Sequence, residues 1–152
     1  MNRPGKPRAT LPLEDRLFIT LQKAADFSLR DVEQLLKSRD LSPAQYNVLR
    51  ILRGVEPKGC ACREIADRMI TRDPDITRIL DRLETRGLIA RERLRTDRRV
   101  VHTRITEVGL RLLKELDQPV RDLHRRQFRH LPARRLKTLA ALLDELRAPV
   151  SR

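Results

Sequence analysis

Residues 73–106 read DPDITRILDRLETRGLIARERLRTDRRVVHTRIT, and the fold turns on how this stretch divides. Asp73 is a strong helix N-cap and Pro74 suits the first helical position, where a missing N–H costs nothing. Ile76, Ile79 or Leu80, and Leu83 then recur at helical spacing. Gly87 stands where a left-handed residue closes a helix, with Leu88 placed to fold back on Leu83. Beyond Gly87 the pattern changes from helical to alternating. Val101, Thr103 and Ile105 share one face, while Val100, His102 and Arg104 share the other. The polar run Arg95-Thr96-Asp97-Arg98 separates residues 88–94 from 99–106, so the two runs form a β-hairpin with a charged tip.

Working upstream, a short helix over about residues 61–70 buries Ile65, Ala66 and Met69. Only Thr71-Arg72-Asp73-Pro74 separates it from the next helix, which is helix-turn-helix spacing. Before it, Leu41-Ser42-Pro43-Ala44-Gln45-Tyr46 supplies a cap, a proline at the first helical position and a glutamine three residues after the cap. Ser42 and Gln45 can satisfy orphan backbone donors reciprocally, and Leu41 can staple onto Tyr46. That helix runs through Leu49 and Leu52 to Gly54, and residues 54–59 turn. From Leu13 to about Arg39, the positions Leu13, Leu17, Leu21, Ala24 or Ala25, Ser28, Val32 and Leu35 make one stripe of a long amphipathic helix. Downstream, Thr106 caps a helix carrying Leu113, Leu116, Val120 and Leu123 towards Phe128, and Pro119 should kink or interrupt it near Gln118. After Leu131-Pro132 a last helix is expected to bury Leu136, Leu139, Leu143 and Leu146.

The fold class is therefore mainly α with a small β-hairpin wing: a winged helix-turn-helix flanked by long helices. Four segments resemble the MarR family of bacterial transcriptional regulators. They are Leu41-Ser-Pro-Ala-Gln-Tyr, Arg63-Glu-Ile-Ala-Asp-Arg, the run from Asp75 to Arg91, and the run from Asp97 to Gly109. The most specific element is a wing signature, Asp-x-Arg, five residues, then Leu or Ile and Thr, matched at Asp97, Arg99, Ile105 and Thr106. The resemblance spans about residues 13–147. Residues 1–12, with three prolines and one glycine, read as a flexible basic tail, and the resemblance implies an N-terminal dimerisation helix over 13–40, a winged helix-turn-helix lobe over 41–106 and C-terminal dimerisation helices over 107–148. It also implies a homodimer on a palindromic operator, most often as a repressor.

In such a lobe the helix after the turn lies in the DNA major groove, where base edges present a distinguishable pattern of donors and acceptors. With Ile76, Leu80 and Leu83 facing inward, Asp75, Thr77, Arg78 and Arg82 face outward. Arg78 is suited to bidentate contact with guanine, Thr77 to a thymine methyl or a phosphate, and Arg82 to a phosphate. The wing tip is the second reader. Arg95, Arg98 and Arg99 crowd one turn around Asp97, which orients a neighbouring arginine, and arginine inserts readily into narrow A·T minor grooves. Ser42 can cap its helix or touch a phosphate, and capping is the stronger expectation.

Composition agrees with a nucleic-acid partner. The 152 residues hold 34 Lys plus Arg against 21 Asp plus Glu, for a net charge of +13, and 28 of those cations are Arg. By segment the charge is +2 for 1–40, +2 for 41–71, +4 for 72–104 and +5 for 105–152. The largest share sits in a C-terminal cluster of Arg121, Arg125, Arg126, Arg129, Arg134 and Arg135, so charge alone does not locate the DNA surface. No apolar run reaches the length of a membrane span, and no secretory signal follows Met1, so a soluble cytoplasmic protein is expected. No phosphate loop, nucleophile elbow or metal-ligand cluster points to an enzyme, a cofactor or a metal. A non-specific architectural DNA binder is the alternative that the charge would serve equally well.

Regulators of this resemblance often answer a small phenolic or anionic effector. Phe18, Phe27 and Tyr46 are the few aromatics near the expected cleft, each better suited to core packing than to ligand contact. Cys60 and Cys62 flank the start of the third helix, whose dipole could lower a thiol pKa, and so raise a redox-switch reading. Their spacing closes a disulfide poorly, and Cys60 serves equally as a small core residue.

Overall fold

The computed structural model describes residues 11–71, 75–93 and 101–148. Their elements are α1 (Leu13–Lys37), α2 (Pro43–Gly54), β1 (Cys60–Ala61), α3 (Cys62–Arg68), α4 (Ile76–Thr85), β2 (Ile89–Arg93), β3 (Val101–Ile105), α5 (Glu107–Phe128) and α6 (Ala133–Arg147). The expectations for Asp73 and Pro74 and for the wing tip fall outside these residues.

Local chemistry explains most element ends. Ser42 Oγ accepts from Gln45 N at 3.1 Å while Ser42 N donates to Gln45 Oε1 at 2.9 Å, so the reciprocal box at the start of α2 is complete. Leu41 and Tyr46 are both buried beside it. Among the described residues helix α4 begins at Ile76. Asp75 is its N-cap, with a non-helical ψ of 42° and a carbonyl that accepts from Ile79 N. At its other end Gly87 takes φ +67°, Leu88 N donates to Leu83 O and Gly87 N to Glu84 O, which is the full Schellman closure.

The hairpin follows with Ile89 opposite Ile105, Arg91 opposite Thr103 and Arg93 opposite Val101. Thr103 and Ile105 are buried and Arg104 is exposed, as the alternation requires. One strand was not anticipated: β1 pairs antiparallel with the outer side of β3, Cys60 opposite Thr103, giving a sheet of order β1-β3-β2. Two residues are too short to leave an alternating signature, and only tertiary pairing makes them a strand.

The core joins Leu36 of α1, Val48, Leu49 and Leu52 of α2, Ile65 of α3, Leu80 and Leu83 of α4, the sheet, and Leu113, Leu116 and Val120 of α5. Helix α5 runs through Pro119 without the interruption that was one of the two outcomes expected there. The residues on either side of the proline, Leu116, Val120 and Leu123, lie buried on one stripe, so packing holds both halves in one helix.

The last helix departs from expectation. Helix α6 buries none of its residues: Leu139, Leu142 and Leu146 are exposed, and Leu136 and Leu143 only partly covered. Along α1, Leu13 and Leu17 are exposed too, while Val32 and Leu35 of the expected stripe pack against the core beside the fully buried Leu36. Among the described residues the end of the α1 stripe is covered, whereas its start and most of α6 are left exposed.

The junction of α4, hairpin and α5 is tight. Thr106 Oγ1 donates to Gly87 O at 2.7 Å and accepts from Gly109 N at 3.2 Å, and Thr106 N donates to Leu88 O. A Cβ on Gly109 would lie 2.3 Å from Leu88 O and 2.7 Å from Ile105 Cγ1, whereas one on Gly87 would meet nothing within 4 Å. Gly87→Ala should therefore cost only the left-handed backbone, about 1–2 kcal/mol. Gly109→Ala must push the wing strand away and should cost about 3 kcal/mol or more. Urea unfolding of both variants checks the order, which equal losses would contradict.

Candidate nucleic-acid interface

Helix α4 owes its position to what its inner face buries. Leu80 and Leu83 are within the core, and Ile76 and Ile79 pack against it. That leaves Asp75, Thr77, Arg78 and Arg82 exposed along the opposite side, as the spacing predicted. Arg78 approaches Asp75 at 3.8 Å, with both side chains more than half exposed, and such a surface pair holds an arginine weakly. The N-terminus of α2 lies alongside. Ser42, Ala44 and Gln45 share a cleft of about 240 Å³ with Asp75, Arg78, Ile79 and Arg82. Ser42 itself caps, as preferred. Arg95, Asp97, Arg98 and Arg99 lie outside the described residues, while the strands that carry them, β2 and β3, are anchored in the sheet.

Sequence reasoning missed the arginines that brace this helix. Arg91 on β2 donates through Nε to Glu84 Oε2 at 2.8 Å and through Nη2 to Asp81 Oδ1 at 2.6 Å, with a further Nη2 bond to Glu84. These bonds, that to Glu84 foremost, raise the guanidinium pKa above its ordinary value. Arg86, the C-cap of α4, donates to the carbonyls of Arg39, at 3.0 Å, and Asp40 in the α1–α2 turn. Arg39 pairs with Glu115 of α5 at 2.9 Å, and Arg53 of α2 binds Asp117 of α5 through two bonds of 2.9 and 3.0 Å. The signal available was the spacing of Asp81 and Glu84, one turn apart and facing a basic strand.

The remaining expected residues are scattered. Tyr46 is in the core beneath Arg50, whose guanidinium carbon is 5.9 Å from the ring centre, and burial pushes its hydroxyl pKa up. Phe18 and Phe27 are exposed on α1. Phe27 borders a cavity of about 830 Å³ between α1 and α5, with Asp31, Gln34, Arg126 and His130 among its walls. Among the described residues no group of three or more His, Cys, Asp or Glu is arranged for a metal, and no helix is long and apolar enough to cross a membrane. Cys60 is buried in β1, and desolvation, then the neighbouring Glu64, raise its thiol pKa. This corrects the expectation that a helix dipole would lower it: burial outweighs the dipole of a seven-residue helix.

Taken together, these elements define a winged helix-turn-helix with its second helix presented to solvent. The comparisons agree. The model of the MarR family matches residues 41–101. The HTH-type transcriptional repressor IacR of Pseudomonas putida is 31% identical over 131 residues, 86% of this chain and 77% of that one. A MarR transcription factor from Planctomyces limnophilus is 42% identical, covering 89% of this chain and 98% of its own at a TM-score of 0.70. A mutant MarR from E. coli, solved in complex with operator DNA, is 26% identical, with 87% and 94% covered and a TM-score of 0.79. The chain belongs to the MarR family of transcriptional regulators.

Because the Cys60 thiol is buried with a raised pKa, iodoacetamide at neutral pH should label native protein at Cys62 well before Cys60, read by intact mass and peptide mapping. The sign of the linkage is also fixed. A thiol whose folded pKa lies above its unfolded value leaves stability untouched at neutral pH and lowers it as pH rises past the ordinary thiol range. Cys60→Ala should flatten that alkaline decline in the melting temperature.

Proposed function

We infer that this chain is a sequence-specific repressor that binds a palindromic operator as a homodimer in the cytoplasm and responds to a small anionic or phenolic effector. Its role on this reading is binding, with no catalytic step. The observation that carries it is the outer face of α4, where Thr77, Arg78 and Arg82 stand exposed on a helix pinned by Leu80 and Leu83. An exposed arginine on a rigid helix can meet guanine O6 and N7 together, and a threonine the thymine methyl. Arg98 and Arg99 would add a minor-groove contact from the wing, with Asp97 orienting them and Arg95 beside them.

Pairing of two chains is supported by the uncovered leucines of α6 and of the start of α1. Contiguous apolar faces of this kind mark association surfaces, and two recognition helices give a palindrome its spacing. The cavity between α1 and α5 supports the effector: it lies among the helices read as association helices, and Arg126 and Arg129 among its walls suit an anionic group.

Arg78→Ala should cost about 1–3 kcal/mol on the preferred duplex and relax the preference at one base position. Arg99→Ala should weaken binding most on A·T-rich flanks. Binding-site selection from a randomised duplex pool, followed by titration at fixed salt, checks both. A parent protein that binds selected and random duplexes alike would replace this reading with the architectural one. Leu139→Asp with Leu142→Asp should convert a dimer to a monomer in sedimentation equilibrium, without unfolding the lobe.

A further inference from the structure

The two arginine clasps on α4 are not explained by contact with DNA. Arg91 is only 24% exposed, and its guanidinium is occupied by Asp81 and Glu84. Arg86 is spent on two backbone carbonyls. We propose that Arg91 and Arg86 are positioning residues that fix the angle of the recognition helix, and that sequence preference depends on them although neither touches a base. The proposal rests on the sequence-specific reading above.

The geometry is one of opposed braces. Core contact through Leu80 and Leu83 sets how deeply α4 sits, but an apolar stripe resists rotation and tilt only weakly. Arg91 reaches from β2 to two carboxylates one helical turn apart, which fixes the helix against the wing in both translation and roll. Arg86 reaches from the C-cap to the opposite neighbour, the α1–α2 turn. There Asp40, in the left-handed region at φ 51°, and Arg39 offer successive carbonyls. Arg39 is itself held to Glu115, so this brace continues into α5. Bidentate readout tolerates little angular error, so a helix braced on both sides discriminates bases that a loose one would not.

Arginine is required at both positions, because lysine keeps the charge but cannot hold two acceptors in fixed geometry. The test compares the parent with Arg91→Lys and Arg86→Lys, using a duplex selected by the parent from a randomised pool and a random-sequence duplex. Each variant should lose about tenfold in the ratio of selected to random affinity, with random-duplex binding and the salt slope unchanged. Residual dipolar couplings of α4 amides should no longer fit one frame with those of β2 and β3 in Arg91→Lys. If Arg91→Lys fails to fold, the pair Asp81→Asn and Glu84→Gln opens the same clasp. That pair should raise random-duplex binding by removing negative charge and still lower the ratio, which a purely electrostatic role cannot do.

Variants that keep both the parent's ratio and a single frame would overturn the proposal. So would an Arg91→Ala variant whose salt slope falls by about one, since that would make Arg91 a phosphate contact. If the parent itself selects no sequence, the sequence-specific reading fails, and the dipolar couplings alone then decide whether the clasp fixes the helix.

Discussion

The close approach of Gly109 to Leu88 is the contact on which the rest of the lobe hangs. Leu88 ends the closure of α4 and Thr106 opens α5, and the chain between them goes out and back as the hairpin. Thr106 binds Gly87 and Leu88 on one side and Gly109 on the other, so one residue ends the hairpin, caps α5 and ties it to the end of α4. Any side chain at residue 109 would part these three elements. The recognition helix, the wing and the long helix therefore share a single point of registration.

Around that point, arginine does two different jobs. Arg39, Arg53, Arg86 and Arg91 are tied to carboxylates or carbonyls between elements and serve as struts. Arg78 and Arg82 stand outward on α4 and remain available to a ligand. The net charge of +13 counts both kinds equally, which is why it indicates a partner class but not a surface.

Legibility in the sequence followed the range of the interaction that decides each feature. The Ser42–Gln45 box, the Gly87–Leu88 closure and the alternation along β3 are set by residues within a few positions of one another, and all were readable. The outward set on α4 was readable because Leu80 and Leu83 fix its phase. Strand β1, the unbroken α5 at Pro119 and the Arg91 clasp depend on partners remote in sequence, or on packing that outweighs a local preference, and periodicity does not record these. The leucines of α6 lie between the two cases: their stripe is plain in the sequence, but the described residues leave most of it exposed.

The choice of guanidinium for the braces has a consequence for acidity. Arginine stays protonated at any pH a cell meets, and Arg91 is held charged more firmly still. Backbone carbonyls, the acceptors for Arg86, do not titrate at all. Of the three histidines, His124 lies near the end of α5, His130 in the turn after it, and His102, though on β3, belongs to neither brace. On the donor side neither brace therefore depends on the proton, and the carboxylates of Asp81 and Glu84 are the titratable half of the one that Arg91 makes.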